Sequence, residues 1–296
     1  ATGRDLAPVG VQLALSTGAA AHAWTASTAD AGIAIAPASG SVSAAGTTVS
    51  IGIDPGTAPV GVNTRAVVFS ATVNGDVVTE VVPVTLSLDA HRLLASDGGV
   101  ALATMPGLER LSRTLRVRDN FGGTPSWTAS ASAAWLSATA GAAPDEVVIQ
   151  ANPSGLATDA LHEATVTISS GDPTIAAETI RVGLWVGSTA PPATRSVAGA
   201  YRAVVTDPVR PYAYVHKGGA DIEVYNVFTG ALVTTWTAVA PALGALAVST
   251  DGTRLFATDL TNLKVVPIAL PGGARGAGWS VPYAAGTIVY ARPNGQ

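Results

Sequence analysis

The chain contains no cysteine, one methionine and few charged residues of either sign. Without cysteine, the sequence cannot form a disulfide framework, a catalytic thiol or a zinc–thiolate site. Charged residues make up 12% of the 296 positions, and the formal net charge is −4. Soluble domains typically carry roughly 25% charged residues. With this net charge the chain has no excess of basic residues to attract a polyanion, so we expect no nucleic-acid partner.

Long hydrophobic runs are also missing. No stretch approaches the roughly 18 apolar residues that span a bilayer, so we expect no membrane insertion. The first six residues, ATGRDL, lack a charged leader with an apolar core, and we expect any signal peptide to be absent from this chain. Hydrophobic residues nevertheless reach 48%, mostly Ala and Val among many Gly, Thr, Ser and Pro. This composition is typical of short strands joined by tight turns and predicts an all-β fold.

Two segments of the chain match each other without a gap at an offset of 98 residues. The matching pairs are Val49–Ile51 with Val147–Ile149, Asp54–Pro55 with Asn152–Pro153, Ala66–Val68 with Ala164–Val166, and Val82–Leu86 with Ile180–Leu184. The tetrapeptide WTAS also occurs twice, starting at Trp24 and at Trp127. A repeat of this length indicates two copies of one folded unit.

Each copy contains short segments in which apolar residues alternate with other residues, such as Val82–Leu88. This alternation places one face of a strand in a core and the other in water. Asn74–Gly75 suits a type I′ hairpin, because both central residues of that turn need positive φ. Several short strands punctuated in this way predict a β-sandwich, and we assign one to residues 1–89 and another to residues 90–188.

The second copy contains a specific order of motifs: SWTAS from Ser126, AWLS from Ala134, and VVIQANPSG from Val147, followed by EATVTI from Glu163. This order resembles the BACON domain, an immunoglobulin-like sandwich of secreted and surface bacterial proteins. The first copy resembles it less, because the second tryptophan is replaced near Ile33. The resemblance implies immunoglobulin-like sandwiches and a secreted or cell-surface location. The family is often proposed to bind carbohydrate but also serves as a spacer, so a polysaccharide partner stays open.

The tryptophans of the repeats differ in their expected roles. Trp24 and Trp127 occupy equivalent positions, and we expect each to fill the core of its own sandwich. Trp185 differs, because its neighbours Leu184 and Val186 share one face of a predicted strand and the indole points to the other. We expect Trp185 either to pack against the next domain or to stack on a sugar ring, and it is the one candidate contact residue that the sequence offers.

After a linker over residues 189–198, the pattern changes. The segments Tyr201–Val215 and Asp221–Gly230 are followed, about 41 to 43 residues later, by Leu246–Ala257 and Asn262–Ile268. A period near 40 with short strands is typical of propeller blades, and these residues resemble the YVTN and WD40-like bacterial propellers. Residues 199–296 thus predict about two blades, with residues 286–295 opening a third. Because a ring needs roughly four blades, we expect either a longer parent protein or open β edges that pair with another subunit.

No catalytic signature is present in the sequence. The four histidines are scattered without metal-ligand spacing, and we expect His216 to lie in a solvated turn. The aspartates, Asp207 among them, mostly fall in predicted turns, where they cap backbone amides. We therefore expect no enzyme activity, cofactor or metal. The sequence favours a non-catalytic extracellular or cell-surface structural or adhesive module, including as a subunit of a surface assembly. The alternative is a carbohydrate-binding accessory region of a larger polysaccharide-active enzyme.

Overall fold

The structure is a computed structural model and describes residues 7–16, 20–54, 59–194 and 196–291. This part of the chain contains strands and turns but no helix, so the predicted all-β fold is confirmed. Consequently no helix among the described residues has the length and apolar character needed to cross a bilayer. The chain forms two compact units, residues 1–91 and residues 92–296.

The first unit is a β-sandwich of two antiparallel sheets, with strand orders β1-β5-β3 and β4-β2-β6-β7. Its strands are β1 (Val9–Leu13), β2 (His22–Ser27), β3 (Ile33–Ala36), β4 (Ser39–Val42), β5 (Thr47–Ile53), β6 (Gly61–Val73) and β7 (Asp76–Leu88). Alternation buries Val49 and Ile51 of β5 between the sheets, where they join Trp24, which is 3% exposed. The β6–β7 hairpin turns at Asn74 and Gly75, whose φ angles of 54° and 92° match the predicted turn.

The second unit begins with a larger sandwich, whose sheets have the strand orders β10-β9-β16-β15-β12 and β13-β14-β11-β8. Its strands are β8 (Leu93–Ala95), β9 (Gly99–Met105), β10 (Leu108–Arg110), β11 (Ser112–Asp119), β12 (Trp127–Ala131), β13 (Leu136–Ala140), β14 (Glu146–Ala151), β15 (Ala160–Ser170) and β16 (Glu178–Val186). Val147 and Ile149 lie in the core, as their repeat partners do in the first sandwich. Trp127 packs against this core while half-buried, and its Nε1 donates to the Pro144 carbonyl at 3.2 Å.

The second sandwich has one feature that the described part of the first does not show. Strand β9 pairs in parallel with β16, with Val182 opposite Val100 and Leu184 opposite Leu102. Strand β9 thereby covers the outer edge of β16, whose counterpart in the first sandwich is β7. In β16, the N–H of Arg181 donates a hydrogen bond to the Gly98 carbonyl at 3.0 Å, next to β9. The equivalent residue of β7 is Pro83, which has no N–H and cannot form this bond.

Two antiparallel sheets of four and five strands follow the linker, and they form the two predicted blades. The first blade contains β17 (Ala203–Thr206), β18 (Tyr212–His216), β19 (Ile222–Asn226) and β20 (Leu232–Trp236). The second blade contains β21 (Leu243–Val248), β22 (Arg254–Asp259), β23 (Lys264–Ala269) and β24 (Ala274–Arg275), and β25 (Trp279–Ser280) also pairs with β23. The blades share one core, which includes Tyr214 and Leu255.

The predicted opening strand of a third blade is wrong where it can be judged. Residues 286–291 form no strand, and residues 292–295 lie outside the described part of the chain. The ring of Tyr290 instead stacks on Phe256 of the second blade, with 5.8 Å between the ring centroids. The tail therefore packs back on the blade that precedes it.

Candidate functional site at the sandwich–blade joint

Trp185, the candidate residue from the sequence, lies on β16 of the second sandwich and is 9% exposed. Its ring stacks on Phe228, which lies in the β19–β20 hairpin of the first blade, with the centroids 6.5 Å apart and the planes at 24°. Ala103, Met105, Leu108 and Leu161 of the sandwich complete this apolar cluster. The indole is thus used in a contact between two domains, and little of its surface is left for a ligand.

Two glycines let the blade loops approach the sandwich closely. Gly183 lies two residues before Trp185, and a Cβ atom there would be 2.1 Å from the carbonyl oxygen of Val209. At Gly99, a Cβ atom would be 2.7 Å from Cγ2 of Val209 and 2.8 Å from the carbonyl oxygen of Thr250. Since these loops belong to different blades, the sandwich supports both blades at once. Only glycine fits at these two points without displacing backbone.

Arg210 crosses the joint and connects all three elements. Its side chain has no exposed surface, and its Nη2 lies 2.9 Å from Oε1 of Glu163 on β15 of the sandwich. Its Nη1 donates to Oδ2 of Asp207 at 3.1 Å and to the Gly252 carbonyl of the second blade at 2.8 Å. A buried charge is costly unless it is paired in this way. The guanidinium therefore links the sandwich, the first blade and the second blade.

Asp207 holds the loop that carries Arg210. Its Oδ1 accepts the backbone N–H groups of Val209 at 2.8 Å and Arg210 at 3.0 Å, and its Oδ2 accepts the hydroxyl of Tyr214 at 2.6 Å. Burial alone would lower the pKa of Arg210, but the charges of Asp207 and Glu163 outweigh it and raise that pKa above its ordinary value. Burial raises the pKa of the Tyr214 phenol. Arg210 therefore stays charged, and Tyr214 stays a donor.

His216 does not lie in a solvated turn, so that prediction is wrong. It is the last residue of β18 and is 1% exposed. Its Nδ1 accepts the Gly218 N–H at 2.9 Å, and its Nε2 lies 2.6 Å from the Gly244 carbonyl on the second blade. This arrangement assigns the proton to Nε2. Burial lowers the pKa of His216, although its bond to Gly244 opposes the shift. The imidazole joins the two blades as a neutral donor.

A small cavity lies in the joint, next to the Trp185 cluster. Its volume is about 160 Å³, and it is lined by residues of both domains, among them Ala101, Leu108, Arg110, Tyr212 and Phe228. Pockets for small molecules typically enclose roughly 300–1,000 Å³, so this cavity suits a few water molecules better than a substrate. Within the described ranges, no three His, Asp or Glu side chains are grouped so that they could hold a metal ion.

The sequence pointed to Trp185 and to a capping role for Asp207, but it did not single out Glu163, Gly183, Val209 or Arg210. A usable signal was present in the differences between the two repeats. The offset of 98 holds between β7 and β16, where Gly183 replaces Thr85 and Trp185 replaces Ser87. Between β6 and β15 the predicted match is wrong by one residue: Glu163 pairs with Gly183 as Thr64 pairs with Thr85, so Glu163 replaces Thr64 on the same face. A face that changes between copies of one fold marks a surface with a new neighbour.

Comparisons with known proteins do not assign the chain to a family. Neither a scan against protein-family models nor a search of curated proteins finds a match. Among solved structures, a protein of unknown function from Porphyromonas gingivalis W83 is 14% identical, with a TM-score of 0.25, over 57% of this chain and 87% of its own. AztD from Citrobacter koseri is 17% identical, with a TM-score of 0.27, over 76% of this chain and 59% of its own.

A third solved structure is the endo-fucoidan hydrolase MfFcnA9 from glycoside hydrolase family 107, which is 15% identical with a TM-score of 0.24. The match covers 60% of this chain and 31% of the hydrolase. The chain thus spans less than two thirds of AztD and about a third of the hydrolase. At these scores the likenesses support no statement about activity.

Proposed function

We propose that this chain is a non-catalytic structural or adhesive module of an extracellular or cell-surface protein, and that it assembles through its blades. The observation that carries the proposal is the Arg210 network. The Arg210 guanidinium is fully buried and forms ion pairs with Asp207 and Glu163, and Asp207 also accepts the Tyr214 hydroxyl. Groups that could act on a substrate are here committed to holding a sandwich and two blades together. Such a joint suits a rigid spacer.

The family assignments belong to the same proposal. The two repeated sandwiches support BACON-like domains, and the two consecutive meanders support YVTN or WD40-like blades. From the BACON resemblance we also propose that the protein is secreted or displayed on a bacterial surface. From the blades we propose protein partners, including further copies of this chain.

Location and chemistry are tested separately. The first experiment fractionates the producing cells, and treats intact cells with protease before immunoblotting with an antibody to this chain. We expect the chain in the secreted or surface fraction, where external protease removes it. A chain that stays protected inside intact cells would contradict the proposed location. In the second experiment, purified protein is incubated with a panel of polysaccharides, and new reducing ends are measured. Their release by this chain would contradict the non-catalytic role.

The alternative function is that of a carbohydrate-binding accessory region, and one observation favours it. Trp279 is 52% exposed, and Tyr283 and Tyr290 are exposed beside it in the chain, although they lie in the blade region and not on a sandwich. Exposed aromatic rings are the groups on which sugar rings stack. Titration of the full chain with soluble polysaccharides, followed by tryptophan fluorescence, tests this function. Saturable quenching that Trp279→Ser removes and Trp185→Phe retains would favour carbohydrate binding over a purely structural role.

A further inference from the structure

The two blades carry the same aromatic stack at equivalent positions. In the first blade, Tyr214 stacks on Trp236 with the centroids 5.4 Å apart and the planes at 25°. In the second, Phe256 stacks on Trp279 at 5.9 Å and 30°. The strand registers match as well, because Trp236 lies opposite Ile222, and Trp279 lies opposite Val265 in the second blade. The Phe256–Trp279 face of the second blade is therefore the counterpart of the Tyr214–Trp236 face of the first.

The Tyr214–Trp236 face is covered by the second blade. Tyr214 is completely buried, and it shares a core with Leu255 and Ala257, which lie on the side of the second blade that faces it. The β23–β24 hairpin passes over the indole so closely that a Cβ atom on Gly273 would be 2.4 Å from Nε1 of Trp236. In this joint, the aromatic stack packs against a neighbouring blade that presents small and aliphatic side chains.

The Phe256–Trp279 face has the same construction without such a cover among the described residues. Trp279 is 52% exposed there, whereas its counterpart Trp236 is packed against the shared core. Besides Trp279 itself, the ring of Tyr290 from the strandless tail also stacks on Phe256. Exposed apolar surface built like a covered face marks an interaction site.

The first blade offers the complementary face. Val204 pairs with Val215 in β17–β18, as Leu246 pairs with Ala257 in β21–β22. Leu246 is buried between the blades, but Val204 is 63% exposed. Leu232 of β20 is exposed in the same blade. One chain therefore carries both halves of the blade–blade joint, one on each outer side of its blade pair.

The Val204 face also carries Glu223, which lies opposite Val215, and its polar groups already have hydrogen-bond partners. The Glu223 carboxylate accepts hydrogen bonds from Lys217 Nζ at 2.6 Å, from the Tyr225 hydroxyl at 2.9 Å and from the Tyr201 hydroxyl at 3.1 Å. An apolar neighbour can cover such a closed network without leaving the carboxylate unpaired, which is the costly case. Tyrosine is also enriched in protein interfaces. The face is thus suited to burial against an aromatic surface.

We propose that a second copy of this chain is the occupant. The Phe256–Trp279 face of each copy docks on the Val204 face of the other, in the way the second blade docks on the first. Such a contact is heterologous, and it either closes a ring or runs on as a filament. Two copies supply four blades, which is about the smallest number found in closed propellers, so the ring closes as a dimer. This inference rests on the self-assembly included in the proposed function and names its surface.

The test measures the mass of the full chain in solution by light scattering over a range of concentrations. We expect a dimer for the wild type, and a monomer for Trp279→Ser and for Val204→Glu, since each variant damages one half of every joint. Both substituted side chains are exposed, so far-UV circular dichroism should be unchanged. Trp279→Phe, which keeps an aromatic ring, is the matched control and should remain dimeric.

Mixing the two monomeric variants distinguishes this geometry from others. Trp279→Ser retains an intact Val204 face, and Val204→Glu retains an intact Trp279 face, so the mixture should recover one joint and form a heterodimer. A two-fold contact of Trp279 against Trp279 would leave Val204→Glu dimeric on its own and would give no heterodimer with Trp279→Ser, and this result would overturn the proposal. A wild-type monomer, or an oligomer that both variants leave intact, would overturn it as well. Neither result would affect the surface location, which fractionation measures independently.

Discussion

In the first sandwich, Thr64 of β6 lies opposite Thr85 of β7, and both residues are exposed. In the second sandwich the equivalent pair is Glu163 and Gly183, and the Glu163 carboxylate lies 2.9 Å from Arg210, which a blade loop supplies. The two sandwiches share their frame and their core pattern, but this position has a different role in each. A solvated position in one copy is an attachment point in the other.

The neighbouring positions changed in the same sense. Thr85 and Ser87 are exposed on β7 of the first sandwich, whereas Gly183 and Trp185 of the second lie under the blade loops. A glycine in place of threonine admits the backbone of Val209, and an indole in place of a hydroxyl supplies the apolar contact. Three substitutions on one sheet thus convert a solvated face into a docking face, while the alternating core residues stay as they were.

The largest effect on stability is expected from removing the ion pairs of Arg210. Arg210→Ala leaves Asp207 buried without its cation, and removal of one partner of a buried pair typically costs about 3–5 kcal/mol. We expect the free energy of unfolding of the second unit to fall by about that amount, while the first unit is unchanged. Urea unfolding followed by tryptophan fluorescence measures both transitions. Arg113→Ala is the control, because its side chain is 61% exposed and its ion pair to Asp97 is long at 3.4 Å. If Arg210→Ala lost as little stability as Arg113→Ala, the buried network would not stabilise the second unit.

Truncation of the indole compares the two repeats directly. Trp185→Ala removes the ring that stacks on Phe228 and should destabilise the second unit by about 3 kcal/mol, near the low end for tryptophan. Ser87→Ala changes the equivalent but exposed position of the first unit and should have an effect within about 0.5 kcal/mol. The same unfolding experiment measures both. If Trp185→Ala were as mild as Ser87→Ala, the contact between sandwich and blade would be incidental.

The sequence was sufficient for the parts of the fold that repeat. Alternation in Val49–Ile51 and Val147–Ile149 predicted buried strands, and Asn74–Gly75 predicted the hairpin that forms there. Contacts between different elements were harder to predict, because no local sequence pattern indicates which residue a polar side chain will contact. His216 follows a strand and precedes Lys217 and two glycines, which reads as a surface turn. It is buried only because the second blade brings the carbonyl of Gly244 against it.

A smaller effect is expected from Gly183→Ala, which adds one methyl group to the joint. Because that carbon would lie 2.1 Å from a backbone oxygen, the loop must shift, and overpacking of this kind costs about 1–3 kcal/mol. We expect the sandwich and blades to separate more often, so that a protease cuts the linker over residues 189–198 faster. Gly171→Ala is the matched control, since a methyl group there meets no atom within 4 Å. Unchanged cleavage of Gly183→Ala would mean that the close approach does not hold the joint shut.

The smallest expected effect is a pH dependence of stability that arises from His216, which lies in the blade pair and not in the sandwiches. Because burial lowers the pKa of His216 in the folded state, the unfolded chain takes up its proton first as the pH falls below about 6.5. The stability of the second unit should therefore be complete above that pH and decline below it. A proton on Nδ1 would also oppose the N–H of Gly218. Urea midpoints at pH 7.5 and 5.5 should differ less for His216→Gln, whose amide does not titrate, than for wild type. His162→Gln is the control for the loss of a histidine outside the blade pair, since that imidazole bonds to the nearby Ala157 carbonyl of the sandwich. An equal pH response in all three proteins would assign the decline to other groups and leave His216 as a spacer between the blades.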